Sequence, residues 1–203
     1  LLLSPPLAWW LSRSQHRLRP LVEALVALPL VLPPTVLGFY LLLAFSPEYG
    51  LGAWWRETFG TPLAFSFLGL LFASILYSLP FVVQPLTSAF VNMGSKELEA
   101  AATLGLGPLE RFFQIILPMT LPSFVMAAAL GFAHTLGEFG VVLMIGGNIP
   151  GETQVLSIAL FDHVEAMDYR HAHYLAGGLM GFSLVMLVLV YGVLQRRQRR
   201  LFG

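Results

Sequence analysis

The stretch ELEAAATLGLGPLERFFQIILP, residues 97–118, places charged and small residues in the middle of an otherwise apolar chain. No Asp, Glu, Lys or Arg occurs in residues 58–95 or 112–137, on either side of it. Only 11% of the 203 residues are charged and 57% are hydrophobic, whereas a soluble globular domain carries about 25% charged residues. The composition therefore predicts a membrane protein in which this stretch is a polar insert between apolar segments.

The same composition excludes several classes of function. The formal net charge is zero, so the chain lacks the basic surface that nucleic-acid binding requires. It contains no cysteine, which excludes disulfides, thiolate catalysis and cysteine-based metal sites. No GxxxxGKS or GxxxxGKT motif is present, so we expect no ATP-binding loop, no cofactor and no enzymatic activity in this chain.

Four apolar segments are long enough to cross a bilayer, which takes about 20 residues. They are residues 21–45, 63–91, 113–146 and 172–194. We interpret residues 1–11, which are too few to cross, as the end of an earlier span that is truncated here. The prediction is an all-α membrane protein with about five to six transmembrane helices in a single transmembrane domain, residues 1–203.

The loops between these segments alternate in their content of basic residues. Loops 12–20 and 92–112 and the C-terminal tail together carry nine Lys and Arg residues, whereas loops 46–62 and 147–171 carry two. By the positive-inside rule, the richer side is cytoplasmic. We therefore expect a multi-pass protein of the cell membrane, with the N-terminal loop, the 92–112 loop and the C-terminus in the cytoplasm. The basic tail is expected to anchor to lipid headgroups.

Capping and turn residues predict a helix–turn–helix in the polar insert. Ser95 is suited to cap a helix that begins at Lys96 and has acidic residues in its first turn. Gly105 is a natural helix end, and Pro108 is typical of the first position of a second helix. We expect a compact cytoplasmic loop, residues 95–112, whose alanine-rich helix is small enough to enter a groove on a partner.

The spacing of residues in the insert is a separate observation. Glu99-Ala100-Ala101, Gly105, Ile115 and Leu117-Pro118 follow the pattern EAA-x3-G-x9-I-x-LP. This pattern resembles the coupling loop of permease subunits of binding-protein-dependent ABC importers, in which the loop docks on a separate ATPase subunit. The resemblance implies that the residues that carry this contact are Glu99, Ala100, Ala101, Leu104, Gly105 and Pro108.

The resemblance also implies the architecture and the partners. It implies the type I importer permease fold, a second copy of the chain, two copies of an ABC ATPase subunit and a periplasmic or extracellular oxyanion-binding protein. An ion-coupled secondary transporter or channel is the main alternative, and an intramembrane enzyme is a third. Both normally place several ionisable residues deep inside the spans, where this chain has only His134 and Glu138, since Glu23 and His173 lie within the first few residues of their segments.

Two further stretches resemble the molybdate branch of these permeases, which is close to the tungstate and sulfate branches. LGEFG lies within residues 134–140, and GNIPGETQ lies within residues 146–154. The resemblance implies molybdate or tungstate as the substrate, with a sulfate-type oxyanion permease as the alternative.

Polar side chains within the apolar segments are candidates for the translocation path or its gate. A tetrahedral dianion that must also leave is better held by neutral donors than by a fixed opposite charge, and no Lys or Arg lies inside a span. The candidates are Thr35, Ser78, Gln84, Thr135 and Glu138. A helical hydroxyl can instead bond the carbonyl four residues earlier. We interpret Glu138 as structural, joining a neighbouring helix or shaping the gate.

Two other features have structural interpretations. LPLVLPP, residues 28–34, predicts a kink inside a span because proline disrupts helical hydrogen bonding. His163, Asp168, His171 and His173 lie where an outer loop meets the last apolar segment. We predict interfacial polar residues there and no metal site, because the ligand set is incomplete.

Overall fold

The computed structural model describes residues 1–94 and 96–202, with side chains as far as residue 192 and at residue 194. This part of the chain is helical and contains no strand, so the predicted all-α fold is confirmed. Its helices are α1 (Ser4–Arg13), α2 (Arg19–Val31), α3 (Pro34–Phe45), α4 (Gly50–Phe59), α5 (Phe67–Asn92), α6 (Lys96–Thr103), α7 (Pro108–Arg111), α8 (Leu117–Gly137), α9 (Gly140–Gly146), α10 (Leu156–Glu165) and α11 (Tyr169–Phe202).

Three helices among the described residues are long and apolar enough to cross a membrane. They are α5, the continuous run Pro108–Gly137 that ends with α8, and Tyr169–Gly192 of α11. The pair of α2 and α3 makes a fourth if it is counted as one bent span. Helix α1, with 10 residues, is shorter than a bilayer requires. A multi-pass architecture is therefore confirmed, and the number of five to six spans stays a prediction.

The segment predicted as one span over residues 21–45 is two helices. Helix α2 ends at Val31, and α3 begins at Pro34 after a bend of 116°. A proline has no N–H to donate and disfavours helical geometry in the residue before it. Pro33 is accordingly extended, with φ −54° and ψ 137°. The predicted kink is thus a complete break.

The segment predicted as one span over residues 113–146 is also interrupted. Helix α8 ends at Gly137, and Phe139, with φ −127° and ψ −57°, is not helical before α9 begins. The Ser157 hydroxyl donates a 2.5 Å hydrogen bond to the carbonyl of Glu138. Non-helical backbone in a membrane protein needs such a partner from the protein itself, and Ser157 supplies it.

The chain forms two compact units, each discontinuous in sequence, and the single-domain assignment stays a prediction. Unit 1 comprises Leu1–Val26, Leu79–Phe132 and Met186–Gly203, and unit 2 comprises Ala27–Ser78 and Ala133–Val185. In unit 1, the core contains Ala8 of α1, Phe90 of α5 and Ala127 of α8, all 0% exposed. Lipid tails are as apolar as leucine, so close packing more than water exclusion stabilises such helix contacts.

In unit 2, the core brings α9 against α3 and α5. Val141 and Ile145 of α9 are 0% exposed and share a cluster with Phe45 and Tyr77. Gly38 on α3 permits a close approach, because a Cβ at this position would lie 2.9 Å from the Cβ of Met144. The short α9 is therefore an integral part of the packing.

Two predictions concern parts of the chain that lie outside the described residues. Ser95, the predicted cap of α6, is one of them, and the side chains of the basic tail from residue 195 are the other. In the predicted outer loops, the structure places two short helices, α4 and α10.

Candidate functional site

The polar insert forms the predicted helix–turn–helix, made of α6, a turn and α7. Gly105 has φ +80°, in the left-handed region. The Gly105 N–H donates to the Ala102 carbonyl at 3.0 Å, and the Leu106 N–H donates to the Ala101 carbonyl at 3.2 Å. This pair of bonds is the Schellman motif, whose left-handed residue is usually glycine. We call residues 96–111 the EAA element.

Side-chain hydrogen bonds fix the turn between the two helices. The Gly107 N–H donates to Glu110 Oε2 at 2.7 Å, which is the half of a capping box that a glycine at the cap position permits. The Arg111 Nε donates to the Leu106 carbonyl at 2.6 Å. The EAA element is therefore closed at the end of α6 and at the beginning of α7, and its internal geometry is well defined.

Most of the residues predicted to contact an ATPase are accessible. The exposed ones are Glu99, Ala100, Leu104, Gly105 and Pro108. Leu104 is 81% exposed, which is notable for a large apolar side chain on a short polar loop. Ala101 is only 3% exposed, so its side chain faces its own chain and helps to seat α6, and its contact with an ATPase stays a prediction.

Arg13 ties α1 to the segment that leads into the EAA element. Its Nη2 donates to the carbonyls of Gly94, at 2.5 Å, and Phe90, at 3.4 Å, near the end of α5. Its guanidinium also lies 5.1 Å from the centre of the Trp9 ring, within the range of a cation–π interaction. The sequence analysis counted Arg13 only among the basic residues of its loop, because no local sequence pattern predicts a contact with a residue 81 positions away.

A π-helical turn, Phe112–Ile116, connects the EAA element to α8. In this turn, the Leu117 N–H bonds the carbonyl of Phe112, five residues earlier. Pro118 follows at once, and a proline cannot donate the next helical bond. Such turns are rare and occur frequently at functional sites. The helix nevertheless continues from the EAA element into the span.

Of the predicted path residues, the structure brings Ser78 and Thr135 together. Their hydroxyl oxygens lie 2.8 Å apart, between α5 and α8. Thr87, by comparison, bonds the carbonyl of Val83, four residues earlier, which is the ordinary role of a helical hydroxyl. Thr35 and Gln84 are exposed on α3 and α5. The path role of all these residues stays a prediction.

Glu138 occupies the break between α8 and α9 and is 3% exposed. Neither carboxylate oxygen makes a well-formed hydrogen bond to a described residue, although the Ser74 hydroxyl is near enough to interact with the carboxylate. Buried polar groups are almost always hydrogen-bonded. The exception makes Glu138 a functional candidate, and the nearby Ser74 hydroxyl lies on α5, so the expected link to another helix stays a prediction.

The GNIPGETQ segment is held by its own polar side chains. Thr153, 2% exposed, donates to the Gly146 carbonyl at 2.6 Å and accepts from the Ile149 N–H at 3.0 Å. Asn148 and Gln154 both donate to Asp162 of α10, at 2.9 Å and 3.1 Å. Sequence reasoning used this segment only as a family signature. The structure assigns Thr153 and Asp162 to the positioning of the loop.

Changing Thr153 to Val is expected to lower the free energy of unfolding by about 2 kcal/mol, because two buried hydrogen bonds lose their shared hydroxyl. The measurement is thermal unfolding of the purified chain in detergent. Thr153→Ser is the control, since it keeps the hydroxyl and removes one methyl group. An unchanged unfolding temperature of the Thr153→Val variant, which keeps the methyl group, together with destabilisation by Thr153→Ser, would show that methyl packing and not the hydroxyl holds the loop.

Comparisons with known proteins agree on one family. The sequence profile of the family described as 'Binding-protein-dependent transport system inner membrane component' matches residues 4–201. The Molybdenum transport system permease protein ModB of Azotobacter vinelandii is 53% identical over 191 residues, which cover 94% of this chain and 84% of that protein. The Sulfate transport system permease protein CysT of Escherichia coli (strain K12) is 34% identical over 197 residues, covering 97% and 71%.

A solved structure shows the same fold. The crystal structure of a bacterial ABC transporter involved in the import of the acidic polysaccharide alginate aligns with a TM-score of 0.66 at 17% identity. The alignment covers 98% of this chain and 72% of that chain. The profile, the identities and the shared fold lead to one conclusion: the chain belongs to the family of binding-protein-dependent transport system inner membrane components.

Proposed function

We propose that this chain is the permease subunit of an ABC importer and forms the translocation path for molybdate or tungstate. The observation that carries the proposal is the EAA element, a capped helix–turn–helix that exposes Glu99, Ala100 and Leu104. A separate ATPase subunit docks on this face and hydrolyses ATP. Membership of the family and the 53% identity to a molybdenum permease support this assignment.

In the proposed mechanism, the permease works as two copies with two ATPase subunits on the cytoplasmic side. ATP binding draws the ATPases together and moves both EAA elements, which opens the spans towards a binding protein on the outer face. Hydrolysis returns the spans to the inward-open state. The hydrogen bonds that close α6 and α7 support this role, because a stiff element transmits a displacement that a flexible loop would absorb.

The substrate class rests on a difference between relatives. Identity to the molybdenum permease is 53%, against 34% to the sulfate permease. The Ser78 and Thr135 pair offers neutral hydroxyl groups that suit transient contact with an oxyanion. A sulfate-type permease is the second candidate, favoured by the coverage of 97% of this chain in that comparison.

The test is ATP hydrolysis by the reconstituted complex of permease, ATPase and binding protein. The binding protein is loaded in turn with molybdate, tungstate or sulfate. We expect molybdate and tungstate to stimulate hydrolysis and sulfate to leave it at the basal rate. Stimulation by sulfate alone would replace the substrate assignment, and failure of any ATPase to associate would overturn the proposal as a whole.

Changing Glu138 to Gln is expected to lower uptake of the oxyanion at least tenfold without loss of the fold. A buried carboxylate that lacks well-formed hydrogen bonds is held at a cost, so the neutral isostere should unfold at the same or a higher temperature. Transport by the complex in vesicles and thermal unfolding of the same variant are measured together. Glu152→Gln, in an exposed loop, is the matched control, and a destabilised Glu138→Gln variant would instead indicate a structural partner.

A further inference from the structure

Three side chains converge where α10 meets α11, two helices that carry neither the EAA element nor a candidate path residue. Asp168 Oδ2 lies 2.6 Å from His171 Nδ1 and 3.4 Å from His163 Nδ1. The three atoms lie within 4.8 Å of one another, and the two imidazole rings are stacked with their centres 5.4 Å apart. Their side chains are 38% to 53% exposed, so solvent reaches all of them.

A tight backbone turn holds this cluster in place. The Asp168 N–H donates to the His163 carbonyl at 2.8 Å, and the Met167 N–H donates to the Val164 carbonyl at 3.0 Å. This is again a Schellman motif, but its left-handed residue, Met167 with φ +57°, carries a side chain. That conformation costs about 1–2 kcal/mol outside glycine. The turn therefore fixes His163 and Asp168 side by side before any ligand binds.

In contrast to the expectation from the sequence, we propose that His163, Asp168 and His171, brought together by the fold, bind a divalent transition-metal ion of the zinc class, with water completing the coordination. Imidazole nitrogen and carboxylate oxygen lie about 2.0–2.2 Å from zinc, so neighbouring donors of a tetrahedral site are about 3.3 Å apart. The separation of 3.4 Å between His163 Nδ1 and Asp168 Oδ2 already matches this value. The 2.6 Å contact to His171 lengthens when the ion replaces the proton in that hydrogen bond.

Helix capping by Asp168 accounts for only part of this arrangement. Its Oδ1 accepts the backbone N–H of His171 at a long 3.4 Å, as an N-cap does, which leaves Oδ2 to the imidazoles. The hydrogen bond from the His171 side chain holds the pKa of the Asp168 carboxyl below its usual value. Neither fact requires His163, which α10 brings in from five residues earlier. The group of possible ligands among the described residues consists of His163, Asp168 and His171 and does not include the neighbouring His173.

A bound ion would join the end of α10 to the beginning of α11. Helix α10 also carries Asp162, which anchors Asn148 and Gln154 of the GNIPGETQ loop. On the proposed topology this region faces outwards, so an ion reaches it without crossing the membrane. The proposal is independent of the transported substrate, because it needs only the fold of this region.

The test titrates the purified full chain in detergent, without a polyhistidine tag, with Zn²⁺ by calorimetry and with Co²⁺ by visible absorption. We expect one ion per chain, d–d absorption bands from Co²⁺, and a higher unfolding temperature in Zn²⁺ than in chelator. His163→Ala and Asp168→Asn should each raise the Kd at least tenfold. Asn remains a good N-cap, so the Asp168→Asn variant should unfold like the original chain in chelator.

His173→Ala is the matched control, since it removes a nearby histidine outside the cluster, and its Kd should be unchanged. Equal binding by the original chain and by a His163→Ala, His171→Ala double variant would overturn the proposal. The absence of saturable binding to the original chain would overturn it as well. ATPase and uptake assays are not part of this test, so its failure leaves the proposed function standing.

Discussion

Changing Glu99 and Gly105 together to Arg is expected to abolish the stimulation of ATP hydrolysis by loaded binding protein, with at least a tenfold loss. Both positions are exposed, and a Cβ at Gly105 meets nothing within 4 Å, so the changes introduce no clash within the chain. They place two positive charges on the proposed docking face and strain the left-handed residue at φ +80° by about 1–2 kcal/mol. The measurement is ATPase activity of the reconstituted complex, together with co-purification of the ATPase.

Two single variants distinguish the effect of the added surface charge from the effect of backbone strain at Gly105. Gly105→Asn should retain most of the stimulation, because Asn tolerates the left-handed region better than other side chains. Glu97→Arg makes the same charge reversal earlier on α6 and should have a smaller effect. If the double variant is stimulated like the original chain, the EAA element is not the docking face.

Changing Arg13 to Gln is expected to lower uptake severalfold and the free energy of unfolding by about 1–2 kcal/mol. The variant loses charge-assisted hydrogen bonds to the carbonyls of Phe90 and Gly94 and the contact with Trp9. Hydrogen bonds to charged groups contribute about 1.5–3 kcal/mol. Solvent screening at the exposed Arg13 lowers that contribution. Gly94 lies between α5 and the EAA element. Without the hydrogen bond from Arg13, this connection should be more mobile and should pass less of the movement of the EAA element to α5. Uptake and thermal unfolding are measured on the same preparations.

Two controls test whether the position or merely the charge of Arg13 matters. Arg13→Lys keeps the charge but lacks the planar fork that reaches two carbonyls, so its effect should be intermediate. Arg17→Gln removes an exposed arginine four residues further on and should have little effect. Equal losses in the Arg13→Gln and Arg17→Gln variants would show that only the basic charge of this loop is important.

Local signals predicted the elements that local chemistry determines. Gly105 and Pro108 predicted the end of α6 and the beginning of α7 because both act through their own backbone. The length of the apolar segments predicted α5 and α11, because hydropathy is likewise read from consecutive residues. The breaks at Pro33 and Phe139 were less predictable, because hydropathy does not register a change of helix direction when both sides are apolar.

The sequence predicted which residues belong to the candidate site, but it did not predict the contacts that these residues make. The sequence predicted which residues of the EAA element form a surface, but not that Ala101 is buried. It also identified Ser78 and Thr135 separately, whereas their pairing depends on how α5 lies against α8. The contacts of Arg13 join residues far apart in the chain. Such pairings are set by tertiary packing, which periodicity and capping rules do not encode.

The unbroken run from Pro108 to Gly137, 30 residues, has a mechanical consequence. At about 1.5 Å per residue it is about 45 Å long, against about 30 Å of hydrocarbon. Even a tilt of about 40° leaves part of it protruding. On the proposed mechanism, this run carries a displacement of the EAA element into the membrane. Pro108 and Gly137, which precedes Glu138, are therefore joined by one continuous stretch of helix.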